Sequence, residues 1–249
     1  MRTRLFILLL LSVCVFSCSK DGNTVGSPDN GNVGTGGSLA KFVIVGNYLY
    51  IANSGDIRVY DISKNGVPEE KSTVYTGWGI ETIFTYNNNL FLGSSTGMFI
   101  YSLADPANPT FIGQAQHFRS CDPVVANDSF AFVTLRGGTS CGPVTDGLYT
   151  YNILDLTNPV LISSLEMSTP SGLALNRNLV YVCRKTNGLS IVNVSDVAKP
   201  TILKTMEDAS FEDVIVYGDL LICYVSDGLR LYDISTADNP VFISTVNNL

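Results

Sequence analysis

One apolar pattern occurs five times between about residue 40 and the end of this 249-residue chain, and its spacing restricts the folds open to it. In the second copy, the glycine that opens the third apolar run, Gly97, lies twelve residues before the proline that opens the fourth, Pro109. Copies three to five repeat this distance, and the first copy, from Gly55 to Pro68, is one residue longer. Successive prolines lie 41, 50, 41 and 40 residues apart. Such a period, with one insertion, is typical of a supersecondary unit that stacks on its neighbours.

Each copy contains four short apolar runs separated by Gly, Asn, Asp and Pro, which indicates short strands joined by tight turns. Several runs are apolar at every position, such as 179–183, and this predicts sheets covered on both faces. Four-stranded sheets packed face to face around an axis meet that requirement. The sequence therefore predicts an all-β fold, a five-bladed β-propeller of about 40-residue four-stranded repeats. We expect the ring to close by packing of blade one on blade five.

The third run of the copies has a recognisable sequence, Ile-Arg-Val-Tyr-Asp-Ile-Ser at 57–63 and Leu-Arg-Leu-Tyr-Asp-Ile-Ser at 229–235, followed by Asn-Pro or its equivalent. It resembles the LVIVD repeat of bacterial β-propeller proteins, and the resemblance covers residues 40–249. The resemblance implies the fold and is nearly silent on activity. Copy three departs from the pattern through an insertion at 136–146, and copy two has Ser102 where the repeat has Asp.

The N-terminus has the pattern of an export signal. Arg2 and Arg4 precede an apolar stretch at 5–16, which is too short to span a bilayer. The sequence Val-Phe-Ser-Cys that ends at Cys18 resembles the lipobox of bacterial lipoproteins, in which the cysteine becomes the acylated first residue. Cys14 is a competing acceptor, but Val13 before it is a poor cleavage residue. The alternative is a signal peptide cleaved nearby that leaves Cys18 free.

These patterns predict the domain organisation. Residues 1–17 are a signal peptide, 18–38 are the lipidated Cys18 and a flexible linker, and 39–249 are the propeller. The predicted blades are 39–79, 80–120, 121–171, 172–210 and 211–249. The residues after Cys18 are similar to the short charged signals of some Bacteroidetes lipoproteins. We therefore expect lipid anchorage at the outer membrane, on its periplasmic or cell-surface side.

The charge of the chain restricts its partners. The sequence has 15 Lys and Arg, and loss of Arg2 and Arg4 leaves 13 against 22 Asp and Glu. An acidic surface repels phosphate backbones, so nucleic acid is excluded as a partner. The expected partners are the membrane, through the lipid anchor, and an unknown protein or glycan. We expect a monomer.

Four cysteines lie inside the predicted propeller. Cys121 begins the innermost strand of blade three and Cys141 lies in the insertion of the same blade, so we expect a disulfide between them in an exported protein. Cys183 and Cys223 lie in second strands of neighbouring blades, where buried thiols are expected. The cysteine spacing matches no zinc site, and no metal or cofactor is expected.

Functional residues are expected at the mouth of the central channel, on loops that enter the innermost strands. Alignment of those strands places one residue of each blade in a ring: Lys41, Glu81, Asp122, Gly172 and Asp213. Carboxylates that share a ring would form a cation site or an acid, base and nucleophile set. Alternatively, as the LVIVD resemblance implies, each Asp accepts backbone N–H bonds that tie adjacent blades.

The same mouth is predicted to hold the only His and the only Trp of the chain, His117 and Trp78, together with Arg119. A single His is usually a hydrogen-bonded loop residue, but it is also a candidate ligand or base. Trp78 lies between two glycines and is a candidate for stacking on a sugar or a partner side chain. The ligand-binding hypothesis therefore comprises Trp78, Glu81, His117, Arg119, Asp122 and Asp213.

Two classes of function stay open. The first is a cell-envelope lipoprotein that acts as a non-catalytic binding or scaffold module through one propeller face. The second is a glycoside hydrolase or lyase that uses Glu81, Asp122 and Asp213. An enzyme of that kind needs two carboxylates about 5 to 9.5 Å apart around an open pocket, whereas a binding module tolerates a filled channel. The sequence favours the binding module and assigns no catalytic residue.

Overall fold

The computed structural model describes residues 36–65, 67–77, 79–116, 123–137 and 145–247. These residues form twenty strands in five four-stranded antiparallel sheets and no helix. Blade 1 is β1 (Phe42–Val45), β2 (Tyr48–Ala52), β3 (Asp56–Asp61) and β4 (Glu69–Tyr75), and blade 2 is β5 (Ile80–Tyr86), β6 (Asn89–Ser94), β7 (Gly97–Ser102) and β8 (Thr110–Gln116). Blade 3 is β9 (Val124–Ala126), β10 (Phe130–Leu135), β11 (Gly147–Asn152) and β12 (Val160–Glu166), and blade 4 is β13 (Leu173–Asn176), β14 (Leu179–Cys183), β15 (Leu189–Asn193) and β16 (Thr201–Met206). Blade 5 is β17 (Phe211–Tyr217), β18 (Leu220–Val225), β19 (Gly228–Asp233) and β20 (Val241–Asn247).

Within each blade the strands pair in chain order, so the first strand lies at the axis and the fourth at the rim. Short turns connect the first and second strands, and glycines with a left-handed backbone conformation, such as Gly46 and Gly218, make these tight hairpins possible. The repeated Asp after the third strand has a local role: the Asp61 carboxylate accepts the backbone N–H of Ser63, and Asp233 accepts that of Ser235. The predicted five-bladed β-propeller is confirmed.

Neighbouring blades pack through their apolar faces. Four buried clusters join blade 1 to blade 2, blade 2 to blade 3, blade 3 to blade 4 and blade 4 to blade 5. Hydrogen bonds to the turns between third and fourth strands also join neighbouring blades. The Tyr50 hydroxyl donates to the carbonyl of Pro106, and the Tyr181 hydroxyl donates to the carbonyl of Ala237. Each of these bonds reaches the Asn-Pro turn of the next blade.

Blades 5 and 1 meet differently from the other pairs. Among the described residues, no buried apolar cluster joins them. The contact that the structure gives is polar and lies near the axis, where Ser38 and Leu39 bond to Asp213. The expectation that blade 1 packs on blade 5 is therefore wrong for the part of the chain that the structure describes, because the side chains on the two facing sheets remain partly or largely exposed.

The two cysteines expected to be buried thiols are confirmed as such. Cys183 and Cys223 are free and fully buried at the interface of blades 4 and 5. Burial raises the pKa of both thiols, which keeps them protonated. The described ranges contain no helix that is long and apolar enough to span a membrane. Cys18, Cys121 and Cys141 lie outside the described residues.

Candidate functional site

The segment that leads into β1 lies across one end of the channel. The Ser38 hydroxyl donates to Asp213 of blade 5 at 3.2 Å, and its oxygen accepts the N–H of Leu173 of blade 4 at 2.7 Å. The carbonyl of Ala40 accepts the N–H of Ile83 of blade 2 at 2.9 Å. Ser38 is only 1% exposed. Residues 37–40, here called the lead-in segment, therefore connect blade 1 to three other blades at the channel mouth.

Asp213 is the acceptor that fixes this segment. Oδ1 accepts bonds from the Ser38 hydroxyl and from the backbone N–H of Val214, and Oδ2 accepts the N–H of Leu39 at 3.4 Å. Burial raises the pKa of the Asp213 carboxyl, and these donors offset only part of the rise. The Asp213 carboxylate thus accepts hydrogen bonds from the protein itself. This agrees with the alternative offered by the sequence, in which the Asp before the innermost strand ties adjacent blades together.

Two glycines make room for the Asp213 carboxylate. A Cβ atom added to Gly37 would overlap Oδ2 of Asp213. A Cβ atom added to Gly172 would overlap Oδ1 of Asp213 and would also lie 2.7 Å from the Asp213 Cα. Glycine is the residue that permits so close an approach of the backbone to another group. Gly37 and Ser38, which the sequence pattern predicted to be linker, are therefore part of the packed structure.

Glu81 and Asp213 do not occupy equivalent positions in the first strands of their blades. Glu81 is the extra residue of a β-bulge between Ile80 and Thr82, and Glu212 is the extra residue of the corresponding bulge before Asp213. The residues that share one position around the axis are Lys41, Thr82, Pro123, Gly172 and Asp213. The predicted ring therefore combined two positions, because simple alignment of the strands does not account for the bulges.

Glu81 lies in a different electrostatic setting from Asp213. Burial raises the pKa of the Glu81 carboxyl, and the nearby charges of Lys41 and Arg136 counteract only part of that rise. The corresponding Glu212 pairs with Lys185 of blade 4, with Nζ to Oε2 at 3.4 Å. The side of the mouth formed by blades 1 to 3 therefore carries a half-buried carboxyl between two cations.

The remaining predicted site residues cannot be placed. Trp78, His117, Arg119 and Asp122 lie outside the described residues, and Asp122 directly precedes Pro123, the first described residue of blade 3. In the described ranges, no three His, Cys, Asp or Glu side chains cluster closely enough to hold a metal ion. Sequence reasoning missed Ser38, since a serine after two glycines is typical of a linker.

Comparisons of sequence agree with the repeat. The model of the LVIVD repeat matches residues 36–76 and 170–208, which correspond to blades 1 and 4. The matched residues make up about a third of the chain. No curated protein matches the sequence.

Solved structures share the fold at low identity. A functionally unknown protein from Desulfotomaculum acetoxidans superposes with a TM-score of 0.65 at 11% identity, over 82% of this chain and 67% of that one. The periplasmic gluconolactonase PpgL from Pseudomonas aeruginosa gives 0.64 at 13% identity, over 81% and 68%. The computationally designed Ika8 protein gives 0.59 at 12% identity, over 84% of this chain and 61% of the designed one. This chain thus spans about three fifths of the designed protein, and at these identities the likeness is one of fold alone. The chain is a five-bladed β-propeller that carries LVIVD repeats.

Proposed function

We propose that the chain is a cell-envelope lipoprotein whose propeller acts as a non-catalytic binding or scaffold module. The observation that supports the non-catalytic role best is the position of Asp213, whose carboxylate accepts bonds from Ser38, Leu39 and Val214. A carboxylate engaged in this way holds the lead-in segment in place. It is poorly suited to act as a nucleophile or base toward a ligand, because both of its oxygens already accept hydrogen bonds.

The proposed binding surface is the mouth on the side of blades 1 to 3. Glu81, Lys41 and Arg136 are close enough there for their charges to influence one another. Trp78 is three residues from Glu81, and His117, Arg119 and Asp122 lie in the connection between β8 and β9; these are aromatic and charged residues of types that bind a protein or a glycan. Varied loops on a rigid scaffold are where proteins commonly place recognition.

The envelope location rests on the sequence. Cys18 follows an apolar stretch and a small residue, as in bacterial lipoproteins, and about twenty residues separate it from the lead-in segment. We place the propeller at the outer membrane, on its periplasmic or cell-surface side.

Site-specific photocrosslinking in intact cells tests the binding surface. A photoreactive amino acid at position 78 should give a discrete crosslinked product. The same group at Ala198, an exposed residue in the Lys199-Pro200 turn between β15 and β16 at the opposite end of the blade, is the matched control and should give none. Equal products from both positions, or no product from position 78, would count against the mouth as the binding surface.

An activity measurement tests the non-catalytic role. The structural likeness to a gluconolactonase makes glucono-lactone hydrolysis a suitable assay, together with a panel of glycosides for the hydrolase alternative. The purified protein should not exceed the rate in buffer. Turnover that is lost in the double variant Glu81→Gln and Asp213→Asn, with the melting temperature unchanged, would replace the binding proposal by the enzymatic one.

Cell fractionation tests the anchor. Cys18→Ala should release the protein from the membrane fraction without changing the circular dichroism spectrum of the propeller, since the anchor lies outside the repeats. Cys14→Ala is the matched control and should leave the protein in the membrane fraction. Retention of the Cys18 variant at the membrane would contradict the lipoprotein assignment.

A further inference from the structure

Charged side chains of three blades come together on one side of the channel mouth. Lys41 directly precedes β1, Glu81 lies in β5 and Arg136 directly follows β10. The charges of Lys41 and Arg136 both act on the Glu81 carboxyl, so the three side chains are near one another. Lys41 is exposed, and Glu81 and Arg136 are half-buried. These three residues, here called the mouth cluster, are therefore within reach of a ligand that approaches from solvent.

The backbone fixes each member of the mouth cluster. The carbonyl of Lys41 accepts the N–H of Ala52 at 2.8 Å. The peptide N–H that follows Arg136 donates to Oδ1 of Asp146 at 2.8 Å. Glu81 is the extra residue of a β-bulge, a feature that redirects a side chain. The three charges are thus held on rigid positions, as recognition of a small chemical group requires.

Positive charge is in excess within the mouth cluster. Both charges that act on Glu81 are cations. None of the ion pairs among the described residues includes Glu81. The corresponding Glu212, in contrast, pairs with Lys185 at 3.4 Å. The mouth cluster therefore sets two positive charges against one carboxyl, in a chain whose net charge is −7.

The Glu81 carboxyl does not neutralise both cations. Burial raises its pKa, and the two cations counteract only part of the rise. A carboxylate in a close ion pair with a cation would show a lowered pKa instead. The mouth cluster therefore retains attraction for a further anionic group.

Neutral hydroxyl groups surround the mouth cluster. The N–H of Gly79, two residues before Glu81, donates to the carbonyl of Ser54 at 2.6 Å, and the carbonyl of Gly79 accepts the N–H of Ser95 at 2.8 Å. The loops of blades 1 and 2 that contain these serines therefore lie beside Glu81. Ser54 and the neighbouring Thr96 are exposed. A hydroxyl is both a donor and an acceptor, so such loops suit the hydroxyl groups of a sugar.

We propose that the mouth cluster binds an acidic glycan, with one uronic acid carboxylate held between Lys41 and Arg136. The proposal rests on the binding role of the mouth and names the chemical class of its ligand. Hydrogen bonds from these two cations to a carboxylate are charge-assisted and therefore strong. A single carboxylate among hydroxyl groups is the pattern of a uronic acid unit. An acidic peptide presents several carboxylates together with main-chain amides, and fits two cations among serine and threonine side chains less well.

Calorimetric titration of the purified full-length protein in detergent micelles tests the ligand class. Oligogalacturonate is the first probe, and its fully methyl-esterified form is the matched control, because esterification removes the charge and leaves the sugar chain in place. The acid form should bind, more weakly as salt is added, and the ester should not. Equal binding of both forms would overturn the proposal, as would absence of binding to oligogalacturonate, alginate and hyaluronan fragments alike.

Substitutions in the mouth cluster test the site. Lys41→Gln and Arg136→Gln should each weaken binding of oligogalacturonate at least about tenfold, since each removes a charged donor. Glu81→Gln should strengthen it, because a carboxylate that repels the ligand is lost. Lys199→Gln removes an exposed cation at the opposite end of the propeller and should leave the affinity unchanged. Melting temperatures check that each variant is folded. Weaker binding by Glu81→Gln, or an equal loss in Lys199→Gln, would overturn the assignment.

Crosslinking from position 78 separates this proposal from the binding role of the mouth. If crosslinked products form in cells while no uronic acid oligosaccharide binds, the mouth is a binding surface and the acidic glycan is the wrong ligand class. If neither is observed, both proposals fail.

Discussion

The hydroxyl of Ser38 and the carboxylate of Asp213, 175 positions apart in the chain, are 3.2 Å apart in the structure. The same hydroxyl oxygen accepts the backbone N–H of Leu173. One buried serine thus bonds the lead-in segment to blades 4 and 5, and this is where blade 1 is connected to the last two blades near the axis. This gives the Asp before the innermost strand of blade 5 a defined structural role.

The first prediction is that Ser38 and Asp213 stabilise the fold as a pair. Asp213→Ala removes the acceptor of a buried hydroxyl and of the Leu39 N–H, and should cost about 1 to 3 kcal/mol of unfolding free energy. Ser38→Ala should cost a similar amount, because the Leu173 N–H loses its acceptor. The double variant should cost less than the sum of the two, since residues in contact couple.

Chemical denaturation of the four proteins measures this coupling. Asp219→Ala is the matched control, since Asp219 is exposed and should change stability by no more than about 0.5 kcal/mol. Strictly additive effects of Ser38→Ala and Asp213→Ala would mean that the bond at 3.2 Å contributes nothing to stability.

The second prediction concerns pH. Because burial raises the pKa of Asp213, the folded protein holds this proton to a higher pH than the unfolded chain. The contribution of Asp213 to stability is therefore complete below the ordinary carboxyl pKa of about 4 and is lost as the pH rises through the raised value. Asp213→Asn removes the titration, so its stability relative to the parent should increase between about pH 4 and pH 7.

Guanidinium unfolding at several pH values compares the two proteins. Asp219→Asn should follow the parent throughout that range, and it controls for the change in net charge. If the parent instead gains stability relative to Asp213→Asn as the pH rises, the hydrogen-bond donors outweigh burial and the direction of the pKa shift is wrong.

Periodicity was sufficient to predict the architecture because each blade repeats the same local signals. Apolar runs and turn residues recur in every copy, and the spacing from Gly97 to Pro109 recurs in all copies but the first, so an error in one copy is corrected by the others. The same repetition identified Cys183 and Cys223 as buried, since second-strand residues that face a neighbouring blade are covered.

Features that the five copies do not all share could not be predicted in this way. The bulge before Thr82 shifts the register by one residue, and only the pairing of β5 with β6 reveals it. Ser38 has no counterpart that the repeat would mark, and its burial depends on contacts with blades 4 and 5. The lack of a buried apolar cluster between blades 5 and 1 among the described residues depends on the angle between blades, which arises from packing along the whole ring and leaves no local pattern in the sequence.

The third prediction is that Gly172 tolerates no side chain. The Cβ of an alanine at this position would lie 2.7 Å from the Asp213 Cα, so backbone would have to move. Gly172→Ala should therefore lower the unfolding free energy by about 1 to 3 kcal/mol, as overpacking does. Trimming the carboxylate with Asp213→Ala should not rescue it, because the Cα remains in place.

Gly55→Ala is the matched control for this substitution. The nearest atom to an added Cβ there is the Gly77 carbonyl oxygen at 3.7 Å, an ordinary contact, so the melting temperature should hardly change. A Gly172→Ala variant as stable as Gly55→Ala would show that blades 4 and 5 can separate locally at the axis.

The fourth prediction is a disulfide between Cys121 and Cys141, which both lie outside the described residues. The flanking structure supports it. Val124 pairs with Val133, and Gly147 pairs with Leu135, so the segment before β9 and the insertion after β10 leave the same end of blade 3. A bridge would close a loop of 21 residues and stabilise the domain by about 3 kcal/mol in the chain-entropy model.

Non-reducing peptide mapping of the exported protein should find the two cysteine peptides joined, with Cys183 and Cys223 remaining as free thiols because they are buried. Reduction under native conditions should lower the melting temperature of the parent and leave a Cys121→Ser, Cys141→Ser double variant unchanged. If the parent contains four free thiols after export, or if reduction affects both proteins equally, the insertion is held in place by other contacts and the proposed bridge does not exist.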